Sequence, residues 1–416
     1  MIKRNIVGVA TKLNYNLKIK YKYNFKFCSK IKPNYDYDLF VIGGGSGGLS
    51  ASREASKLGK KVGLADYIVP SPLGTKWGLG GTCVNVGCIP KKLFHNAALK
   101  VEDLDSLNSI GLDIEYKSIH KKNDQSDIKK VLPIVKWNIL KNKIQMHIKK
   151  INFSFRAKLR EEKVTYHNKY ASFIDKNTIL LKDNKNNETI VTADKILIAV
   201  GGRPNYGNYK NSKELCLTSD DIFSLNTTHP GKVLIIGASY IALECAGFLN
   251  GLGCDVTIMV RSKVLGGFDK ECAEKVADYM KEKGIKFLYN TVPEEILKNK
   301  TLLSNISNSN KNDVDYLNIE NLLDKKDIDR DILVTYKNEK GSKIESYYDN
   351  VLMAIGRTPT TESLNVEKAG VQIDLKTNKI ITDDHEKTSI DNIYAIGDCA
   401  LNRPELTPPA IKVIII

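Results

Sequence analysis

Cys83 and Cys88, five residues apart in "GLGGTCVNVGCIPKKLFH" (residues 78–95), are the side chains best placed to do chemistry. In a regular helix, positions i and i+5 put their Cα atoms about 8 to 9 Å apart, beyond the roughly 7 Å that a disulfide can span. A bridge therefore needs a distorted first turn. Gly80, Gly81 and Gly87 allow that distortion, and Pro90 withholds a regular hydrogen bond. A strained bridge near a helix N-terminus is easily reduced, and the dipole and nearby lysines stabilise its thiolates. The spacing predicts a redox pair, with two reduced structural cysteines as the alternative. A zinc site fits poorly, because no second cysteine pair and no histidine pair at ligand spacing follows.

Thiols that cycle need an electron carrier beside them, and the chain offers two folds able to hold one. "YDYDLFVIGGGSGGLSASREASKLGKKVGLADY" (35–67) reads as strand, glycine turn, helix and second strand. Gly43, Gly45 and Gly48 stand at the G-x-G-x-x-G positions, for the tight turn, the approach to a pyrophosphate and helix packing; Ser46 lies in the same turn. Asp66, about twenty residues on, is placed to accept hydrogen bonds from ribose hydroxyls. The pattern recurs in "PGKVLIIGASYIALECAGFLNGLGCDVTIMVRS" (230–262), with Gly237, Ser239 and Ala242 at the three positions. Where the first unit ends in an acid, the second ends in Arg261 and Ser262, which suit a ribose carrying a 2′-phosphate. FAD is predicted at the first site and NADPH at the second.

Two more strands run into glycine turns: "ADKILIAVGGRP" (193–204), with Gly201, and "DNIYAIGDCA" (391–400). Asp398 ends the second, where an acid can bond the ribityl and phosphate part of a dinucleotide. Gly81 and Thr82, at the start of the redox helix, join the expected cofactor contacts. Hydride from NADPH would then reduce the flavin, and the flavin the disulfide. Lys91 or Lys92 would supply a cation beside the reduced flavin.

At 416 residues, 42% of them hydrophobic, the chain should divide into two or three domains. Its net charge of +15 suggests a polyanion partner until it is localised: nine of the cations and no acid lie in residues 1–35, so the body is only mildly basic. No aromatic-interleaved basic stripe accompanies them, so neither nucleic acid nor membrane is an expected partner. The acid-free segment reads as a mitochondrial presequence, with a disordered tail as the alternative, leaving a mitochondrial or cytoplasmic location open. Eight cysteines scattered through a long chain imply a reducing compartment. Residues 297–330, rich in Asn, Asp and Lys, read as a surface insertion, and 120–130 are similarly polar.

"GGTCVNVGCIPKK", the two glycine fingerprints and "YAIGD" together resemble the pyridine nucleotide-disulfide oxidoreductase family. "DYIVPSPLGTKWGLGGTCVNVGCIPKKL" and "TSDDIFSL" are most similar to its large thioredoxin reductases, and the likeness runs over about residues 35–412. The resemblance implies a glutathione-reductase-like α/β fold with two Rossmann-like dinucleotide-binding domains: an FAD domain in two parts, 36–195 and 356–416, around an NADPH domain at 196–355. It implies that Cys88 is the thiol beside the flavin and Cys83 the interchange thiol. It further implies Lys91 near flavin N5, paired with Glu244, and Tyr240 gating the nicotinamide face. His95 reads as structural.

The expected activity is NADPH-dependent reduction of thioredoxin. Glutathione reductase, or a noncatalytic FAD-binding protein, is the alternative. Two departures qualify the likeness. "VRSKVLGGFD" has Gly266 where the family usually carries a second Arg, so one 2′-phosphate contact should be missing. After "ELTPPAIKVIII" there is no counterpart of the family's dimer-forming interface domain, so full turnover and the family's homodimer are not expected of this chain alone.

Overall fold

The apolar run Tyr37–Ile42 forms strand β1, and the glycine turn after it leads into α1 (Ser46–Lys57) and β2 (Val62–Ala65). Helices α2 (Gly81–Val86) and α3 (Cys88–Leu107) carry the two cysteines, and α4 (Trp137–Glu161) packs on both. Strands β3 (Thr165–His167), β4 (Tyr170–Phe173), β5 (Thr178–Lys182) and β6 (Glu188–Ile198) then complete most of a seven-stranded sheet. Its order is β3-β2-β1-β6-β5-β4, with strand Ile393–Ala395 parallel to β6. β1 lies between β2 and β6, parallel to both, which explains its near-continuous apolar sequence. The long β6 serves three neighbours: Glu188–Thr192 pairs with β5, Ala193–Ile198 with β1, and Ile196–Ile198 also with the strand Ile393–Ala395.

These elements come from a computed structural model that describes residues 34–107, 135–299, 330–338 and 340–413. The basic N-terminal segment, the polar stretch 120–130 and all but the edges of the insertion at 297–330 lie outside the described residues.

A short β7 (Gly202–Pro204) leaves the first sheet, followed by α5 (Ser212–Leu215) and α6 (Ser219–Ile222). The repeat of the opening pattern is β8 (Lys232–Ile236), α7 (Tyr240–Gly251) and β9 (Asp255–Val260), extended by α8 (Lys270–Glu282) and β10 (Lys286–Tyr289). Strands β11 (Pro293–Lys298), β12 (Ile332–Lys337) and β13 (Lys343–Tyr348) form an antiparallel sheet. β14 (Asn350–Met353) then joins β8, giving a parallel sheet of order β10-β9-β8-β14. β15 (Arg357–Pro359) pairs with β7, and β16 is the strand Ile393–Ala395.

Lys298 pairs with Ile332, so Leu297 and Lys298 belong to β11 and not to the insertion that begins at 297 in the sequence reading. The polar residues after them obscure where the strand ends.

The helices meet in an aromatic cluster. Phe94 of α3 lies 4.8 Å from Trp137 of α4 and 5.3 Å from Phe248 of α7, between ring centroids, and Phe223 packs on both phenylalanines. All four rings are fully buried. Burying each contributes about 1.5 to 3 kcal/mol, and they fix the redox helix against the second βαβ unit.

Candidate active site

The cysteines sit across a break between two helices. The sequence reading places them in one helix with a distorted first turn; instead α2 ends at Val86 and α3 starts at Cys88, with Gly87 between at φ −140° and ψ −117°. A Cβ on Gly87 would press on the Thr82 carbonyl oxygen at 2.9 Å, so glycine lets the chain fold back tightly enough to bring the sulfurs together. Pro90 falls in the first turn of α3, where a missing N–H costs no intrahelical bond.

The pair stands as two thiols, Cys83 half-buried and Cys88 exposed. Cys83 is drawn down to about 6, chiefly because the Cys88 thiol donates a hydrogen bond to it; the Thr407 hydroxyl, the Cys88 backbone N–H and Lys91 add to this. Cys88 is pushed up by holding that proton, by burial and by the neighbouring thiolate. The two shifts have opposite signs because one proton is shared, and the low first ionisation belongs to the pair. In this arrangement Cys83 is the thiolate, whereas the resemblance makes Cys88 the thiol beside the flavin.

Other elements hold this helix in place. Asn152 of α4 donates to the Leu79 carbonyl at 2.6 Å and to Asn85 Oδ1 at 2.9 Å; Asn85 in turn donates to the carbonyls of Gly78 and Gly81. Arg357 donates to Thr82 Oγ1 at 3.1 Å and to the Gly202 carbonyl.

Lys91, one turn into α3, reaches Glu244 of α7 at 2.5 Å, and its ammonium stands 5.3 Å from the centroid of the Tyr240 ring. Tyr240 is 41% exposed, so it is not a packed core residue. Lys92 is exposed, and the structure singles out Lys91 as the paired cation. His95 is also exposed, at the edge of the cavity, and does not occupy the packed position that its structural reading implied.

A cavity of about 1400 Å³ collects much of this chemistry. Gly43, Gly45, Ser46 and Asp66 line it from the first βαβ unit; Gly81, Thr82, Cys83, Cys88 and Lys91 from the redox helices; Gly201 and Asp398 from the ends of two strands; and Tyr240 and Glu244 from α7. Gly81 packs so close that a Cβ there would stand 2.6 Å from Gly45 Cα, joining the fingerprint turn directly to the thiol helix. Gly48 packs beneath, in the buried first turns of α1. Asp66 accepts the Gly44 N–H at 2.8 Å and is half-buried in the cavity wall; burial pushes its carboxyl up to about 6. Burial likewise raises Asp398, with Glu405 adding to it and Arg357 opposing.

The other candidates stay apart. Gly237, Ser239, Ala242, Arg261 and Ser262 do not line this cavity. Gly237 ends β8 with φ +116°, Ser239 precedes α7, Ala242 is buried, and Arg261 and Ser262 are exposed just beyond β9. The second unit reaches the cavity through α7, from Tyr240 to Gly247, and through Val276, Tyr279 and Met280 of α8; Glu244 makes the ion pair with Lys91.

The donor set suits a flavin dinucleotide in the cavity: a backbone turn with no side chain to block a pyrophosphate, a half-buried acid beside it, and a cation and two thiols at the far end. It suits a pyridine nucleotide at the second unit, where a glycine turn is followed by an exposed cation and hydroxyl. Sequence reading missed Thr407, Arg357, Asn85 and Asn152. Thr407 lies inside the quoted "ELTPPAI", but nothing in that string ties it to residues 83 and 88.

A close pair of thiols beside one glycine-turn nucleotide fold, with a second such fold reaching them through α7, defines a nucleotide-linked dithiol oxidoreductase. Residues 37–413 match the family described as "Pyridine nucleotide-disulphide oxidoreductase", and the chain belongs to that family. It is also 41% identical over 384 residues to "Thioredoxin reductase SEP1" of Emiliania huxleyi, an alignment covering 90% of this chain and 68% of that relative.

Proposed function

We propose that this chain is an FAD-containing, NADPH-dependent disulfide reductase whose final acceptor is thioredoxin. The observation that carries the reading is the convergence on one cavity of the Cys83–Cys88 pair, the Lys91–Glu244 ion pair and the first glycine turn. The thioredoxin part rests on the relative in Emiliania huxleyi. The proposed division is into FAD-binding parts at 36–195 and 356–416 around an NADPH-binding part at 196–355; the separate sheets support two such parts, with β6 carrying the first sheet on to Ile198, three residues past that boundary. FAD bound in the cavity supplies acceptance of hydride from NADPH and delivery of two electrons to the disulfide.

The chain's own residues do the rest. Gly43, Gly45 and Ser46 cradle the pyrophosphate, Asp66 holds a ribose and Asp398 the ribityl chain. Lys91, kept extended by Glu244, places positive charge where reduction adds negative charge. Tyr240 would gate the approach of the nicotinamide, and Arg261 and Ser262 would hold the 2′-phosphate on the adenosine ribose of NADPH. Two electrons and one proton open the Cys83–Cys88 bond to one thiolate and one thiol. Cys83 then attacks one sulfur of the acceptor's disulfide and expels the other as a thiolate; Cys88 gives its proton to that thiolate, attacks Cys83 Sγ, expels the acceptor's remaining sulfur as a second thiolate and restores the bridge.

The test is anaerobic. NADPH should bleach the flavin band of the holoprotein and expose two additional titratable thiols, and thioredoxin should be preferred over oxidised glutathione as acceptor. A flavin that NADPH leaves yellow would sink the reductase reading, and a preference for glutathione would sink the acceptor.

A further inference from the structure

Between β2 and α2 the chain runs from Asp66 to Gly80 with no helix or strand, only a turn at Pro72–Leu73. Loops of that length inside a compact fold are usually functional. Both ends are pinned to one residue of the fingerprint turn: Gly44 donates to Asp66 at 2.8 Å and accepts from the Gly80 N–H at 3.1 Å. The middle is held from outside. Arg203 of β7 donates from Nη1 to the Val69 carbonyl at 2.8 Å and from Nε to Asp220 Oδ2 at 2.7 Å, and its guanidinium lies 4.6 Å from the centroid of the Trp77 ring. One side chain therefore ties the outgoing limb, the returning limb and α6. The next acid, Asp221, accepts from Ser71 Oγ at 2.5 Å, and Ser71 Oγ also accepts the Thr75 N–H at 3.0 Å across the turn.

Val69, Pro72 and Trp77 all line the cavity, so the tethered loop is one of its walls. Asp220 is 2% exposed and Asp221 3%, anchored on α6, whose first turn Thr218 closes with a capping box. The anchor is buried and capped, whereas the loop has no helix or strand of its own, which makes Arg203 the side chain that fixes its place. A lysine cannot replace it, because one ammonium cannot bond Asp220, bond Val69 and stack flat on Trp77 together.

We propose that Arg203 is a positioning residue for the bound dinucleotide: it latches the 66–80 loop over the cavity and sets how long the flavin stays. This inference rests on the flavin reading above.

The test uses Arg203→Lys and the double variant Arg203→Met/Asp220→Asn, which leaves no unpaired buried carboxylate. Flavin release from the holoprotein is followed by the fluorescence of free flavin after dilution, and amide hydrogen exchange over residues 67–79 is measured on the flavin-free protein. Both variants should release flavin at least about tenfold faster, with faster exchange confined to 67–79. Release within about twofold of the unmodified protein, or unchanged exchange in that loop, would overturn the latch. An unmodified protein that takes up no flavin would instead sink the proposed function, while the exchange arm would still decide whether Arg203 holds the loop. Should neither variant fold, Ser71→Ala cuts the second tether: release about threefold faster supports the latch, and an unchanged rate overturns it.

Discussion

The first βαβ unit, β1-α1-β2, and the second, β8-α7-β9, open with the same glycine geometry, φ +108° at Gly43 and +116° at Gly237, and then part company. The first is the more closed of the two: Asp66 is half-buried in the cavity wall, Gly81 packs against Gly45, and the thiols line the same cavity. The second stays open at its phosphate end, with Arg261 and Ser262 exposed, and approaches the thiols through one face of α7, from Tyr240 to Gly247. The contrast matches the two ligands these folds would take. A carrier that stays between turnovers needs a sealed site, and one that must leave after each turnover needs an exposed one.

Five experiments would break or sharpen that contrast. The largest effect should come from the thiols at the sealed site: Cys83→Ser or Cys88→Ser should cut disulfide reduction by at least about a thousandfold while leaving flavin content intact. Steady-state NADPH oxidation with an acceptor reads this. In the reduced protein, alkylation of Cys83 should switch on near pH 6, since its thiol is drawn down to about 6 from 9.0.

Asp66 should matter next. Its carboxyl is raised from 3.8 to about 6, so the folded chain keeps a proton that the unfolded chain releases. The resulting stability is full at low pH and is lost as pH rises through that window. Asp66→Asn should therefore stabilise the ligand-free chain at pH 8 by up to about 3 kcal/mol, seen as a raised Tm and a flattened pH dependence, while weakening flavin retention. A variant no more stable than the parent at pH 8 would remove the sealed half of the comparison.

At the open site, Arg261→Ala should leave Tm unchanged and weaken NADPH binding by about tenfold or somewhat more, as expected for one charge-assisted hydrogen bond. The smallest effect should be Gly266→Arg. A Cβ there meets only the Lys263 side chain at 3.7 Å, so the new guanidinium has room, and NADPH should bind about tenfold tighter. An unchanged dissociation constant would show that Gly266 is not a missing phosphate contact.

Both glycine-turn units and the pairing of Cys83 with Cys88 near the first of them were legible in the sequence, because each is a local pattern in which residue type and spacing carry the physics. The acid of one unit and the cation of the other could be told apart for the same reason. The helix break at Gly87 was only half legible: the glycines announced a distortion but not its place, which the Thr82 carbonyl decides. Thr407, Arg357, Asn152 and Arg203 were not legible, since each reaches the thiols or their loop from a distant part of the chain. Their partners are chosen by the tertiary fold, and no short window contains both ends of such a contact.

β16 has a consequence for how the molecule is made. The last strand of the first sheet, Ile393–Ala395, pairs with β6, and Thr407 follows it against the thiols. A nascent chain leaving the ribosome thus carries both cysteines for some three hundred residues of synthesis before the elements that shelter them arrive. The redox state in which the protein is born depends on the surrounding thiol buffer during translation, and its own electron supply can take over only after residue 407 has docked.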